Sequence, residues 1–204
     1  MGLDIIAVSK LVPVEVPEDI EIWSDEYYDW EAEQDGTVVN ISTHDAFPEQ
    51  AEGLDDGSYL ETGEDFGFRA GSYGGYGTWR DWLAQSVMGG ILGKTGGATA
   101  MWHSSDEGDY SLPFMEIINF SDADGIIGPV ASKKLYNDFR RYENDVMDWM
   151  DDKYLSQTSI SHSSWDDDKD KPLDKGDFEW FQARYNDWKK AFRIASDNGA
   201  VIFH

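Results

Sequence analysis

The sequence predicts a single α+β domain, in which a mixed or antiparallel sheet packs against about three helices. Partly alternating apolar segments stand near both ends of the chain, at residues 3–16 and 200–204, and such segments are typical of β-strands. Later stretches carry apolar residues at steps of three and four, which is typical of amphipathic helices. We expect the N-terminal and C-terminal strands to lie in one sheet.

Further strands are predicted along the first third of the chain. Pro13 marks an edge position or the end of the first strand, because proline has no N–H to donate to a central ladder. Runs of β-forming residues at 36–43, 58–61 and near 66–69 predict three more strands.

Three helices are predicted from apolar stripes. The first spans about 76–88 and ends at Gly89-Gly90, since glycine favours helix ends. The second begins at Pro129, which suits a first helical turn, and its stripe continues to Trp149. The third runs over about 177–196.

Two polar segments are predicted to be excursions from this domain. Residues 15–35 hold ten acids interleaved with aromatic side chains, which favours a loop with a short strand or helix on the surface. Residues 151–176 are rich in serine and aspartate, which is typical of a mobile loop.

The composition constrains the partners of the protein. Its 41 acidic and 16 basic residues give a formal charge of −25. This charge should repel bare nucleic acid and anionic membranes and attract basic proteins, or it provides only solubility. No apolar run is long enough for a membrane span, and the N-terminus lacks the pattern of a signal peptide. We therefore expect a cytoplasmic protein.

Two stretches resemble known binding motifs without meeting their requirements. In GGILGKT, Met88 stands where a phosphate-binding P-loop needs its first glycine, so we interpret residues 89–100 as a flexible loop. In DDDKDKPLDKGD, Lys171 stands where a calcium loop needs glycine. The chain has no cysteine, and its four histidines lack metal-ligand spacing. The sequence predicts no cofactor, no metal site and no recognisable catalytic set.

Residues 66–105, which we call the acid-poor window, differ from the rest of the chain. Three basic residues and one acid give the window a formal charge of +2, so the remainder carries −27. The window also holds ten of the twenty glycines, which allow a backbone to approach a ligand closely. Arginine can bind phosphate and aromatic rings can stack on a base, so the window predicts a nucleotide pocket. The alternative is a turn-rich strand–helix junction whose arginines pair with acids.

A second polar group, formed by Asn119, Ser121, Asp122 and Asp124, lies at the C-terminal end of the short apolar element MEIINF, which we expect to be a buried strand or helix. Ligands of open α/β sheets bind at such ends, although the same residues could form a turn that satisfies its own backbone. His204, at the end of the last strand, is either a corner of the site or a frayed terminus. The predicted ligand-binding residues are Arg69, Ser72, Tyr73, Tyr76, Trp79, Arg80, Asn119, Ser121, Asp122 and His204.

Four blocks of the chain resemble a family of uncharacterised proteins found mainly in bacteriophages and prophages. These blocks are MGLDI, FGFRAGSYGGYGTWRDWLA, INFSDADGIIGP and YNDWKKAFRIASDNGAVIFH. The resemblance covers about two fifths of the chain and leaves out residues 15–35 and 151–176. It implies a role in counter-defence or host takeover within the bacterial cytoplasm.

Three functions are compatible with these residues. The first is capture of a nucleotide-like immune signal in a pocket built around Arg69 and Arg80. The second is mimicry of nucleic acid by the acidic surface, which would block a basic host protein. The third is cleavage of such a nucleotide by Asp122, Asp124 or His204. We expect no direct contact with nucleic acid or membrane, and a homo-oligomer stays open.

Overall fold

Antiparallel β-sheet and α-helix build this protein, whose structure is a computed structural model. It describes residues 2–34, 36–42, 48–103, 111–120, 125–161 and 170–204. The strands are β1 (Gly2–Val8), β2 (Leu11–Pro13), β3 (Val38–Ile41), β4 (Gly57–Glu61), β5 (Asp65–Ser72), β6 (Gly125–Ile127), β7 (Ser159–Ser161), β8 (Asp170–Pro172) and β9 (Ala200–Phe203). The predicted α+β fold is confirmed.

The main sheet has the strand order β5-β1-β9-β6, and the small sheet has the order β2-β4-β3. Strands β7 and β8 form a separate hairpin. Strands β1 and β9 are antiparallel neighbours in which Ile5 lies opposite Phe203. The two ends of the chain therefore share one sheet, as predicted.

The prediction of one strand over residues 3–16 is wrong. Lys10 adopts a left-handed backbone with φ of 54°, and its N–H donates to the Asp197 carbonyl at 2.8 Å. This turn separates β1, in the main sheet, from β2, in the small sheet. Pro13 ends β2, which agrees with the position predicted for it.

The helices are α1 (Asp25–Ala32), α2 (Tyr73–Ser86), α3 (Ala98–His103), α4 (Met115–Asn119), α5 (Pro129–Arg141), α6 (Glu143–Ser156) and α7 (Lys175–Ala195). A 3₁₀ turn covers Pro48–Ala51, and a π-helical turn over Val87–Ile91 continues α2. Helix α4 shows that the apolar element MEIINF is helical. None of the described helices is both long and apolar enough to cross a membrane.

The helix predicted from Pro129 to Trp149 is two helices, so its prediction as one element is wrong. Tyr142, with φ of −106° and ψ of 11°, leaves the helical region and divides α5 from α6. The apolar stripe continues across this break, because buried Phe139 and Val146 lie on either side of it. Helix α6 extends to Ser156, into the segment predicted as a mobile loop.

One face of the main sheet packs against α2 and α7 in an aromatic core. Trp188 of α7 is fully buried, and its ring centroid lies 5.7 Å from those of both Tyr76 and Trp79. Phe203 of β9 lies 5.6 Å from the same ring. Long apolar side chains on two helices thus fix the position of α2 over the sheet.

The opposite face of the main sheet is covered only in part. The small sheet packs there through a second apolar cluster that includes Val8, Tyr59 and Ile126. Asp4, Ile6 and Arg69 stay exposed. We call this exposed part the open face.

Candidate functional site

Three stretches that the sequence singled out meet at one end of the main sheet. The Tyr76 hydroxyl in α2 donates a hydrogen bond to the Phe120 carbonyl at 2.8 Å. The Phe120 ring lies 4.3 Å, between centroids, from the ring of Phe203 in β9. The start of α2, the end of α4 and the C-terminal strand are therefore neighbours, which no local pattern in the sequence indicates.

A row of charged and titratable side chains crosses the open face at this end. Asp4 lies opposite Arg69 of β5 in the register of the sheet. The N–H of Asp4 donates to the carbonyl of His204 at 3.1 Å. The residues next to these, Ile5 and Phe203, pack in the core. Because side chains alternate along a strand, Arg69, Asp4 and His204 all lie on the open face, and all three are exposed.

The predicted arginine at position 69 lies flat on the sheet. A Cβ atom at Gly2 would fall 2.0 Å from an Arg69 guanidinium nitrogen, so the missing side chain of Gly2 leaves room for this arginine. Arg184 of α7 donates a hydrogen bond to the Arg69 carbonyl, which places a second guanidinium beside the same strand.

Helix α2 begins beside this row. Ser72 is its N-cap, and the Ser72 hydroxyl accepts a hydrogen bond from the N–H of Gly75 at 3.0 Å. The capping hydroxyl is thus engaged, whereas the Tyr73 ring is 45% exposed. Of the predicted binding residues on α2, Tyr73 is the one whose ring faces solvent most freely.

The other predicted residues on α2 are engaged by the protein itself. Trp79 is fully buried, and Tyr76 is 2% exposed. Burial raises the pKa of the Tyr76 hydroxyl, more than nearby Arg80 lowers it, so this group stays protonated and donates. Arg80 lies 5.1 Å from the centroid of the Tyr76 ring, and its Nη1 donates to the Ile118 carbonyl at 2.8 Å. Among the described residues, Trp79 Nε1 and Arg80 Nε are buried without an acceptor.

The second polar group is described only in part. Asn119 ends α4 and is half-buried. Ser121 and Asp122 lie outside the described residues, as does Asp124. Their role as ligand-binding or catalytic residues stays a prediction, and so does the pocket as a whole.

Residues 15–34, which lie between β2 and β3, form a second candidate surface. Its single helix, α1, begins after the N-cap Ser24, whose hydroxyl accepts a hydrogen bond from the Tyr27 N–H at 3.1 Å. Tyr27 is fully buried, and its hydroxyl accepts from Asn40 Nδ2 of β3 at 2.7 Å. Asn40 in turn accepts from the Ser58 hydroxyl of β4 at 2.7 Å. One buried tyrosine therefore fixes α1 on the small sheet.

Around this anchor, the segment presents acids and aromatic rings to solvent. Trp23 is 64% exposed and Tyr28 is 50% exposed. Eight carboxylates are also exposed, those of Glu15, Glu18, Asp19, Glu21, Asp25, Glu26, Asp29 and Glu33. We call these ten residues the acidic-aromatic surface. None of its acids forms an ion pair with a base in the parts of the chain that the structure describes.

Sequence reasoning found this segment but not its arrangement. The interleaved aromatic residues indicated a surface element, yet they did not reveal that Tyr27 is buried while Tyr28 is exposed. Only the contact with Asn40 separates the two neighbouring tyrosines. The described residues contain no cluster of acids and histidines suited to a metal ion, and Asp166 and Asp168 of the calcium-like motif lie outside them.

The chain matches no protein-family model, no curated protein and no solved structure in the comparisons made.

Proposed function

We propose that the protein binds a basic, nucleic-acid-binding protein through the acidic-aromatic surface. The observation that carries this proposal is the coexistence of eight exposed carboxylates, which pair with no described base, and two exposed aromatic rings around one anchored helix. Carboxylates can take the place of phosphates in a cationic groove, and exposed rings can take the place of stacked bases. The surface would then exclude the natural nucleic acid of its partner.

Beyond its first turn, where Asp25 and Glu26 suit the helix dipole, α1 carries acids that do not stabilise the helix. Asp25, Asp29 and Glu33 follow one another at steps of four, so like charges lie on one helical face. Each such pair destabilises a helix by roughly 0.2–0.5 kcal/mol. Glu33 at the C-cap also opposes the helix dipole, and no basic residue stands in the last turn. A cationic partner would remove these unfavourable terms on binding.

The exposed aromatic side chains indicate a surface that binds a partner, rather than one that only keeps the protein soluble. Charge alone keeps a protein soluble, and an exposed tryptophan works against solubility. Tryptophan and tyrosine are, however, the residues that most often dominate the energy of protein interfaces. We therefore assign Trp23 and Tyr28 as the residues that contribute most of the binding energy at the interface. The charge of the surrounding carboxylates steers the partner towards them.

The test compares two variants of equal charge. The first neutralises Asp25, Glu26, Asp29 and Glu33 as amides. The control neutralises four exposed acids on α6 and α7, namely Asp148, Asp151, Asp152 and Glu179. Each variant is immobilised and exposed to a bacterial lysate, and the retained proteins are identified with and without competing duplex DNA.

We expect the wild type and the control to retain a nucleic-acid-binding protein that duplex DNA displaces. The α1 variant should lose this partner. Any binding that remains should weaken less steeply as the salt concentration rises. Replacing Trp23 by alanine should weaken the interaction roughly 30-fold or more, because an interface anchor contributes about 2 kcal/mol or more. Equal retention by both charge variants, or retention that DNA does not affect, would contradict the proposal.

Capture of a nucleotide-like ligand is the second candidate function. It is favoured by the convergence of Arg69, Tyr73 and His204 at one end of the main sheet, where all three are exposed. A thermal-shift screen with cyclic nucleotides, dinucleotides and ADP-ribose derivatives tests it, because a bound ligand stabilises the folded state. A shift that disappears in Arg69→Ala and Tyr73→Ala would support capture. Recovery of the ligand intact or cleaved would then separate a trap from an enzyme.

A further inference from the structure

A cleft of about 400 Å³ opens between the loop that follows α2 and the junction of α6 with β7. Two lysines, Lys94 and Lys153, line it together with Trp149, Thr95, Thr158 and Ser159. Among the residues that the structure describes, no acid lines the cleft, although the chain carries a charge of −25. A cavity of this size can hold a small ligand.

The loop that carries Lys94 is built by an irregular helix end. In the π-helical turn, the N–H of Leu92 donates to the Val87 carbonyl at 3.0 Å. The N–H of Lys94 then donates to the Met88 carbonyl at 2.7 Å. The backbone turns at Gly93 and again at Gly96, both with positive φ, of 62° and 134°. Lys94 is therefore held at the rim by its backbone while its side chain is exposed.

The opposite wall comes from α6. A Cβ atom at Gly89 would lie 2.3 Å from Trp149 Nε1, so only glycine allows the indole to pack against the helix end. The Lys153 ammonium lies 5.3 Å from the centroid of the same indole. Its side chain is 25% exposed, which places a partly desolvated cation beside an aromatic ring in the cleft.

Two described acids, Asp152 and Asp81, contact residues that line the cleft. Asp152 approaches Lys153 at 3.9 Å but is 72% exposed, and such a surface pair contributes little. The Asp81 carboxylate is engaged elsewhere, because it accepts hydrogen bonds from Gln85 Nε2 and the Ala98 N–H, both at 2.8 Å. Within the described residues, the cleft thus presents positive charge that is only weakly neutralised.

We propose that this cleft binds a phosphate-bearing small molecule. Two lysines that line one cavity repel each other, and an anion bound between them would remove that repulsion. Hydroxyl groups of Thr95 and Ser159 can donate to phosphate oxygens, and the Trp149 indole offers an apolar surface to the rest of the ligand. The site uses none of the ligand-binding residues predicted from the sequence. It is also independent of the acidic-aromatic surface.

The experiment measures binding of inorganic pyrophosphate and of ATP, each as a metal-free sodium salt. Melting temperature and titration calorimetry are recorded at constant ionic strength, with sodium chloride as the reference salt. The variants are Lys153→Gln and Lys94→Gln. The control is Lys175→Gln, which removes a lysine that is 75% exposed and lies outside the cleft.

We expect pyrophosphate at about 10 mM to raise the melting temperature of the wild type and the control. Affinity should fall at least tenfold in each cleft variant, because each removes one charged contact. Because Lys94 is exposed, Lys94→Gln keeps the test valid if Lys153→Gln fails to fold. The proposal is overturned if neither probe binds, if sodium chloride at equal ionic strength gives the same shift, or if the cleft variants bind as well as Lys175→Gln.

Discussion

Replacing Arg80 with alanine tests whether this arginine holds the fold together or is free for a ligand. Its Nη1 donates to the Ile118 carbonyl at 2.8 Å, and its guanidinium lies 5.1 Å from the centroid of the Tyr76 ring. A hydrogen bond from a charged donor contributes roughly 1.5–3 kcal/mol, and a cation–π contact about 0.5–1 kcal/mol. Because Arg80 is only half-buried, we take the lower part of this range. We expect the free energy of unfolding to fall by about 2–3 kcal/mol.

Urea denaturation measures this loss, and Arg69→Ala is the matched control because Arg69 is exposed on the open face. The control should change the free energy of unfolding by less than about 0.5 kcal/mol. For a chain of this length, the loss in Arg80→Ala corresponds to a melting temperature lower by about 4–12 °C. If Arg80→Ala is as stable as the control, Arg80 does not join α2 to α4, and its role as a ligand-binding residue gains support.

Two further predictions concern buried polar groups. Tyr27→Phe removes the hydroxyl that accepts a hydrogen bond from Asn40, while the ring still anchors α1. The free energy of unfolding should therefore fall by about 1 kcal/mol. An unchanged urea midpoint would show that this hydrogen bond does not hold the helix. Burial raises the pKa of Glu116 above 4.5, and Lys134 offsets part of this effect. A carboxyl with a raised folded-state pKa costs stability once the pH exceeds its unfolded pKa. Between pH of about 4 and about 7, the stability of Glu116→Gln relative to the wild type should therefore rise, and a constant difference would refute this assignment.

Arg80→Ala is a poor probe of nucleotide binding, because Arg80 also joins α2 to α4. Loss of ligand binding in Arg80→Ala would not assign a pocket, because the same change should weaken the contact between α2 and α4. Exposed Arg69 and Tyr73 are better probes, since their replacement leaves the core intact.

Local patterns in the sequence predicted much of the secondary structure. The stripe with steps of three and four placed α7 within a few residues, because helical periodicity depends only on neighbours along the chain. The same stripe could not reveal the break at Tyr142, since α5 and α6 continue it on both sides. The left-handed turn at Lys10 could not be predicted from local pattern either, because it depends on a hydrogen-bond acceptor at Asp197.

The candidate sites were less predictable than the fold. The acid-poor window suggested Tyr76, Trp79 and Arg80 as ligand-binding residues, because arginines and aromatic rings are suited to nucleotides. Those same rings are also the largest apolar groups available to a core, and in the structure Tyr76 and Trp79 pack against Trp188. A sequence does not show which of the two uses applies.

Composition and local periodicity account for the charge of the protein, its α+β class and the presence of a strand near each end of the chain. These follow from composition and from periodicities of two and of about 3.6 residues, which are local properties. Long-range packing pairs β1 with β9, buries Tyr27 while Tyr28 stays exposed, and brings Lys94 and Lys153 to one cleft. Such arrangements depend on contacts between distant parts of the chain, and packing, rather than local pattern, selects them.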